Sequence, residues 1–402
     1  MDRAVDTDAA DVRTDERASS QQRTWLVTIL EAVLVGTIYY GTGRLSLHAS
    51  LVGSSVTPVW PPTGIALVGL LVFGRRVLPG IYLGALLINV TLSPPAWTAF
   101  VLAVGNTLAP LTAYELLQRA HFNPRLERLR DAMALVVLGA LGAMTVSATI
   151  GTTTLWAAGA VSGHSYLSTW SVWWTGDAMG ILVFSPFLLL LLRFRPGPLP
   201  SLVRQLEALA LLGGSAAVTF AVLQSRLNLL FLVFPFLIWA AWRFEQRGAA
   251  PVTLIVTVIA VWAAVNKEGL FANGSLLDRM ITLQSFNGAV ALTAFFLGAS
   301  MAERTKALGE ESAYRAHEAQ VNRRRALELN DEVVQGLSVA KYAFDSGEMS
   351  TAKRAVTHTL DAARQIVSDL LVASGDERGI GPGDLVRERP ALIGEDAPEL
   401  KP

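Results

Sequence analysis

Ten apolar runs follow one another between residues 25 and 301, and they constrain the fold of this chain more than any other feature. A helix needs about 17 to 25 apolar residues to cross the hydrocarbon core of a bilayer. The second, third and eighth runs are short, so two re-entrant segments would reduce ten spans to eight. We predict an all-α polytopic membrane bundle of eight to ten spans. The runs are 25–42, 57–73, 77–93, 96–117, 132–156, 169–192, 206–224, 227–242, 250–266 and 281–301.

The composition agrees with a chain that lies largely in lipid. Charged residues make up 16% of its 402 residues, against about 25% in soluble proteins. The formal net charge is +0, which gives no indication of a nucleic-acid partner. The chain has no cysteine, which excludes disulfides, thiolates and Cys-ligated metals. The five His are not spaced as metal ligands. We expect the lipid bilayer as environment, with no metal, no cofactor and no nucleic acid.

Positive residues between the runs predict the orientation, because cytoplasmic loops carry the excess of Lys and Arg. If the amino terminus is inside, the outer loops keep only Arg44, Arg226, Lys267 and Arg279. We therefore expect a multi-pass protein of the cell membrane with both termini in the cytoplasm. The inner loops hold Arg75, Arg76, Arg119, Arg125, Arg128, Arg130, Arg193, Arg195, Arg204, Arg243 and Arg247.

From Glu303 onward the charged residues become dense and the apolar runs end. We predict one helix over 303–346, a turn at Gly347 and a second helix over 350–372, packed as a coiled-coil-like hairpin. Residues 1–24 and 373–402 are polar, and we expect both to be disordered. The membrane domain is then 25–302. Two helices this short bury a thin core, so residues 303–372 are expected to pair with a second hairpin. The apolar stripes are Leu329, Val333, Gly336, Ala340 and Ala343, then Val356, Leu360, Ala363, Val367 and Leu370.

Two stretches of the membrane region resemble a known family. "Val-Trp-Pro-Pro-Thr-Gly-Ile-Ala-Leu" at 59–67 precedes "Phe-Gly-Arg-Arg-Val-Leu-Pro-Gly-Ile-Tyr-Leu-Gly-Ala" at 73–85, and "Trp-Trp-Thr-Gly-Asp-Ala-Met-Gly-Ile-Leu-Val-Phe-Ser-Pro" follows at 173–186. Their order and spacing are similar to those of the first membrane-associated sensor family (MASE type one). The resemblance covers about residues 25–302. It implies an integral-membrane input module of bacterial signalling proteins, joined to histidine-kinase or cyclic-di-GMP output domains.

The tail resembles the dimerisation and phosphotransfer helices of a histidine kinase over about 319–372. The matching residues are Asp331, Val333, Gln335 and Leu337, but Asn330 stands where such a kinase carries its histidine. Phosphotransfer needs a nucleophilic imidazole nitrogen, and an amide nitrogen is not nucleophilic. About thirty residues follow Val372, so we also expect no ATP-binding domain and no enzymatic activity. The tail is thus expected to be pseudokinase-like.

Ionisable and amide side chains inside the apolar runs are candidate sites, because they are costly in the membrane. Asp177 lies about eight residues into the sixth run and is the strongest candidate for ligand or proton sensing. The alternative is a hydrogen-bonded Asp that joins the sixth span to a neighbour. Glu31 presents the same two alternatives. Asn106 is a mid-span amide, and such groups bridge helices more often than they bind ligands.

Aromatic residues frame the same candidate site. Trp60 and Pro61 begin the second span, and Trp173 and Trp174 enter the sixth from the same outer side. They are either interface anchors and a helix start or the walls of an outward-opening pocket with Asp177 at its floor.

The leading interpretation is a membrane sensor of an unknown small ligand that regulates a two-component system. Its hairpin would form a homodimer, pair with an intact sensor kinase, or hold a response regulator. One alternative is a transporter or solute-binding permease, because a buried carboxylate also suits a permeation path. Another is a truncated, inactive sensor kinase.

Overall fold

The computed structural model describes residues 5–47, 57–92, 95–192, 201–225, 229–273 and 276–373. No strand occurs in these ranges, which confirms the all-α class. The chain divides into two compact units, Met1–Lys306 and Ala307–Pro402. The expected disordered tail at 373–402 lies, apart from Ala373, outside the described residues.

Apart from short 3₁₀ turns, twelve helices follow one another along the described residues. They are α1 Val5–Leu47, α2 Pro61–Phe73, α3 Leu78–Val90, α4 Ala96–Arg119, α5 Leu129–Ala157, α6 Gly163–Leu192, α7 Leu202–Gln224, α8 Leu230–Phe244, α9 Gln246–Val265, α10 Leu276–Leu329, α11 Gln335–Asp345 and α12 Met349–Ala373. The first begins at Val5, whereas residues 1–24 were expected to be disordered. The segment from Val5 to Thr24 contains neither Gly nor Pro, the two residues that most oppose a helix.

Each predicted apolar run contains a helix within the described residues. Seven helices in the described ranges are long and apolar enough to cross a membrane, against the eight to ten spans expected. The three runs noted as short are helices α2, α3 and α8. Thirteen residues of α-helix rise about 20 Å, less than the roughly 30 Å of the hydrocarbon core.

Helix α1 packs along α2 and α3 through small residues. A Cβ on Gly36 would lie 2.6 Å from the carbonyl oxygen of Gly80, so the backbones of α1 and α3 touch. Glu31 pairs with Arg76 at 2.8 Å. Toward the other end of α1, Arg44 donates to Thr91 at 3.0 Å. Helices α2 and α3 therefore run antiparallel to each other beside the same stretch of α1.

Helices α7, α8 and α9 form a second packed group with the first half of α10. Arg243 near the end of α8 donates to Glu207 near the start of α7 at 2.8 Å, so these two helices are antiparallel. Their buried side chains are small and aliphatic, including Leu211, Leu237 and Val256. The short α8 thus runs alongside most of α7.

Two membrane helices contain a wider π-helical segment. In α5 it covers Leu135–Gly142, and in α6 it covers Gly180–Phe184. Such segments carry one residue more than a regular turn and frequently occur at functional sites. The segment in α6 begins three residues after Asp177.

The second unit contains a helical hairpin whose turn is at Gly347, where φ is +79°. Ala340 and Ala343 of α11 are buried against Ala352 and Thr359 of α12. A Cβ on Gly336 would collide with the Thr359 side chain, so the helices are in close contact there.

Gly336, Ala340 and Ala343 of the first predicted stripe thus face the partner helix, whereas Val356 and Leu360 of the second do not. The side chains of Leu329, Val367 and Leu370, which were also predicted in these stripes, lie outside the described residues. Val356 and Leu360 are about half exposed, since Ala352 and Thr359 take the position against α11. The small side chains allow the closer approach. The larger apolar residues of the hairpin are left on its outside.

A polar cavity around Asp177

Asp177 is buried in the membrane bundle, with 2% of its surface exposed. The hydroxyl of Thr63 on α2 donates to its Oδ1 at 2.6 Å. The hydroxyl of Ser147 on α5 donates to its Oδ2, and the indole of Trp173 lines the same cavity as the carboxylate. One carboxylate therefore connects α2, α5 and α6.

The start of α2 is fixed against α6 by glycines. The backbone N–H of Trp60 donates to the carbonyl of Gly176 at 3.0 Å. A Cβ on Gly180 would collide with the carbonyl of Trp60, so only glycine allows this approach. Pro61 and Pro62 occupy the first turn, where a missing N–H costs nothing. The first turn of α2, with its partial positive charge, therefore lies beside Asp177.

A cavity adjoins the carboxylate. It encloses about 420 Å³ of atom-free space, a figure that includes its open side. Its described lining consists of Thr57, Trp60, Ile88, Asn89, Leu92, Asn106, Trp173, Gly176 and Asp177.

Four of the predicted site residues meet at this cavity: Asp177, Trp60, Asn106 and Trp173. Three of the seven predicted residues do not line it. Pro61 only starts α2. Trp174 donates to the carbonyl of Leu141 at 2.8 Å and stacks on Trp170, with ring centroids 5.7 Å apart.

Glu31 lies elsewhere, in an ion pair with Arg76. Its short contact with the guanidinium between α2 and α3 favours the structural alternative, in which Glu31 fastens α1 to its neighbours. Arg76 is half exposed, so the pair contributes little to stability, about 0–1 kcal/mol.

Sequence reasoning missed Thr63 and Ser147, the two hydroxyl partners of Asp177, and also Asn89 and Thr57 in the lining. Hydroxyls in apolar helices usually bond to the carbonyl one turn earlier, as Thr107 does here. Nothing in the sequence distinguishes Thr63 from such residues. Asn89 could have been found by the reasoning applied to Asn106, because both are amides within apolar runs.

The stretch in which the sequence resembles a histidine kinase lies in the second unit. A π-helical segment, Asn330–Val334, begins at Asn330, the position at which that resemblance would place a histidine. Gln335 donates to Asp331 at 3.0 Å, one turn apart on the same helix. Asp331 thus accepts a hydrogen bond from a residue of its own helix.

The fold and the cavity define a multi-pass helical membrane protein with a polar site inside its bundle. The sequence model of the MASE1 family matches residues 30–305, more than half of the chain. The chain belongs to this family of membrane-associated sensory domains, which occurs in signalling proteins. No curated protein sequence and no solved structure matches the chain.

Proposed function

We propose that this protein is a bacterial membrane sensor that detects a small ligand in the Asp177 cavity and passes the signal on by conformation, not by catalysis. The observation that carries this proposal is the buried carboxylate itself. Because Asp177 holds α2 and α5 through hydrogen bonds and borders the cavity, a ligand that competes for the carboxylate changes helix packing.

The cavity is also close to the last membrane helix. Gln284 of α10 donates to the carbonyl of Pro58, next to the lining residue Thr57. Gly288, one turn further along α10, faces Met179 of α6 at 3.6 Å from its Cβ position. A rearrangement of α6 or of the segment before α2 therefore acts directly on α10. A ligand shifts this equilibrium only as far as it binds the two packings unequally.

The proposed output of the hairpin is pairing. Leu337 and Phe344 of α11 are exposed, as are Val356 and Leu360 of α12. Apolar faces of this kind on two packed helices are those that build four-helix bundles. We propose that the hairpin pairs with a second copy or with a sensor kinase of similar helix sequence, and thereby regulates a kinase or response regulator.

The absence of an enzymatic step follows, in this proposal, from the chemistry of one residue. The amide of Asn330 cannot accept a phosphoryl group as an imidazole does. The hairpin then acts through the shape of its dimer. This distinguishes a regulator from a kinase acting on its own helix.

A crosslinking experiment tests the coupling. The chain contains no cysteine, so a single introduced cysteine reports pairing without background thiols. We choose Lys341→Cys, because Lys341 lies between Leu337 and Phe344 on the outer face of α11. In membranes, Asp177→Asn is expected to change the crosslinked fraction. Asp131→Asn is the matched control, because Asp131 is also buried, at 1% exposure, and accepts a hydrogen bond from the backbone of Asn123 away from the cavity. Equal crosslinking in both variants and the parent would contradict the proposal.

A further inference from the structure

We propose that the ligand of the Asp177 cavity is a small organic cation, a quaternary ammonium or a protonated amine. This inference rests on the proposed sensory function and names the chemical class that the cavity recognises. It follows from the charges, the aromatic walls and the hydrogen-bonding groups of the lining.

The only formal charge that the described lining can carry is negative. Asp177 is the only ionisable residue among the described lining residues, and none of them is Lys or Arg. Its hydrogen-bond donors, Thr63 and Ser147, are neutral. The adjacent start of α2 offers roughly half a positive charge. An ionised carboxylate in this cavity therefore retains negative charge that a bound cation offsets and a bound anion would increase.

The guanidinium of Arg44 lies outside the described lining of the cavity. It donates to Thr91 near the end of α1.

Two indole rings form part of the cavity wall. Trp60 and Trp173 line the cavity together with the carboxylate. The negative face of an indole attracts an ammonium group, and aromatic walls are how proteins bind quaternary ammonium ligands. An apolar neutral ligand would use the rings but leave the carboxylate without a partner.

Among the remaining polar groups of the lining, Asn89 and Thr57 offer acceptors, and the amide of Asn106 offers an acceptor and donors. The side-chain amide nitrogen of Asn89 donates to the carbonyl of Ala85 at 2.9 Å, so its oxygen is the part left for the cavity. The hydroxyl of Thr57 donates to the carbonyl of Val59 at 3.0 Å, which leaves its lone pairs. These acceptors suit the N–H groups of a protonated amine or the hydroxyl of an alkanolamine.

A metal ion fits the cavity less well. The described residues contain no group of three or more His, Cys, Asp or Glu side chains that could hold a metal. An organic cation uses both the volume and the aromatic walls, which a bare ion does not.

The test compares choline with its neutral isostere, 3,3-dimethylbutan-1-ol, and with sodium chloride, on the full chain in nanodiscs. Choline is expected to raise the unfolding temperature and to titrate calorimetrically, with the isostere binding at least about tenfold more weakly because the ion–carboxylate and cation–π contributions are lost. Asp177→Asn and Trp173→Leu are expected to reduce choline binding. Trp156→Leu, which removes an exposed indole outside the cavity, is expected to leave it unchanged.

Equal binding of the isostere, an equal shift with sodium chloride, or no choline binding would each overturn the organic-cation assignment. The sensory role fails separately, through the crosslinking experiment with Asp177→Asn and Asp131→Asn. If crosslinking responds to Asp177→Asn while choline does not bind, the ligand class is wrong and the proposed function stands.

Discussion

The hydroxyl of Thr63 donates a hydrogen bond of 2.6 Å to Oδ1 of Asp177, although the two residues are 114 positions apart in the chain. This bond joins the first turn of α2 to the middle of α6, and Ser147 joins α5 to the same carboxylate. The three helices therefore share one polar contact inside the bundle.

Thr63→Val is expected to destabilise the bundle by about 1–3 kcal/mol, because it leaves a buried carboxylate oxygen without its donor. Thr112→Val is the control, since the partly buried Thr112 donates to the carbonyl of Leu108 on its own helix. Unfolding in graded detergent measures both. Equal loss in the two variants would show that the Thr63 bond to Asp177 contributes nothing beyond an ordinary helix hydroxyl.

Gly180→Ala is expected to abolish the native packing of α2 on α6, because the new Cβ would collide with the backbone carbonyl of Trp60. Gly213→Ala is the matched change in α7, where a Cβ would meet nothing within 4 Å. There alanine is expected to stabilise the helix by up to about 1 kcal/mol. The folded yield and the thermal midpoint of the two variants are compared with those of the parent protein. A well-folded Gly180→Ala protein would contradict the close approach of α6 to the carbonyl of Trp60.

Membrane orientation is testable because no native thiol interferes. Thr7→Cys and Ser312→Cys are expected to be shielded from an impermeant maleimide in intact cells, whereas His164→Cys is expected to react. The prediction rests on the distribution of Arg and Lys between loops. Seven crossings alone would leave the termini on opposite sides, so the prediction also requires one or all three of the short helices α2, α3 and α8 to cross the membrane. Labelling of either cytoplasmic position without permeabilisation would refute an arrangement with both termini inside.

Leu360→Asp is expected to reduce pairing of the full chain strongly, because it places a charge on the exposed apolar face of α12. Gln365→Asp is the control, since Gln365 is also exposed but lies five residues further on, about 140° around the helix from Leu360. Crosslinking through Lys341→Cys measures both. If the two charges have equal effects, this face is not the pairing surface.

Incubation of the purified chain with ATP labelled at its terminal phosphate is expected to give no labelled protein, because Asn330 has no nucleophilic nitrogen. Asn330→His, co-expressed with a kinase that pairs with the hairpin, is expected to become labelled only in the presence of that kinase. Label on the unmodified protein alone would remove the basis for a non-catalytic output.

The helices of the membrane unit were predictable because apolar runs determine where a chain enters lipid. Even the three short helices, α2, α3 and α8, coincide with the runs recognised as short. The runs do not show how far each helix extends across the membrane. The same pattern predicted up to ten spans, but seven helices in the described ranges reach spanning length. That difference depends on how short helices pack beside longer ones.

The site was predictable in part for a related reason. Burying a carboxylate within an apolar run costs so much free energy that its presence indicates a site. Asp177 was predicted for this reason. Trp173 and Trp174 are neighbours in sequence but lie about 100° apart around the helix. One lines the cavity and the other bonds to Leu141. Choosing between them requires the rotation of α6 about its axis, which no pattern in a single sequence supplies.

The π-helical segment Gly180–Phe184 gives α6 a surplus residue between Asp177 and Pro186. Because a π-helical turn accommodates one residue more than an α-helical turn, the helix takes up this residue without a break. A deletion in a regular turn of α6 would rotate the residues on one side by about 100° relative to the other. A deletion within Gly180–Phe184 is instead expected to close the wider turn into a regular α-helix and to keep Asp177 facing Thr63 and Ser147.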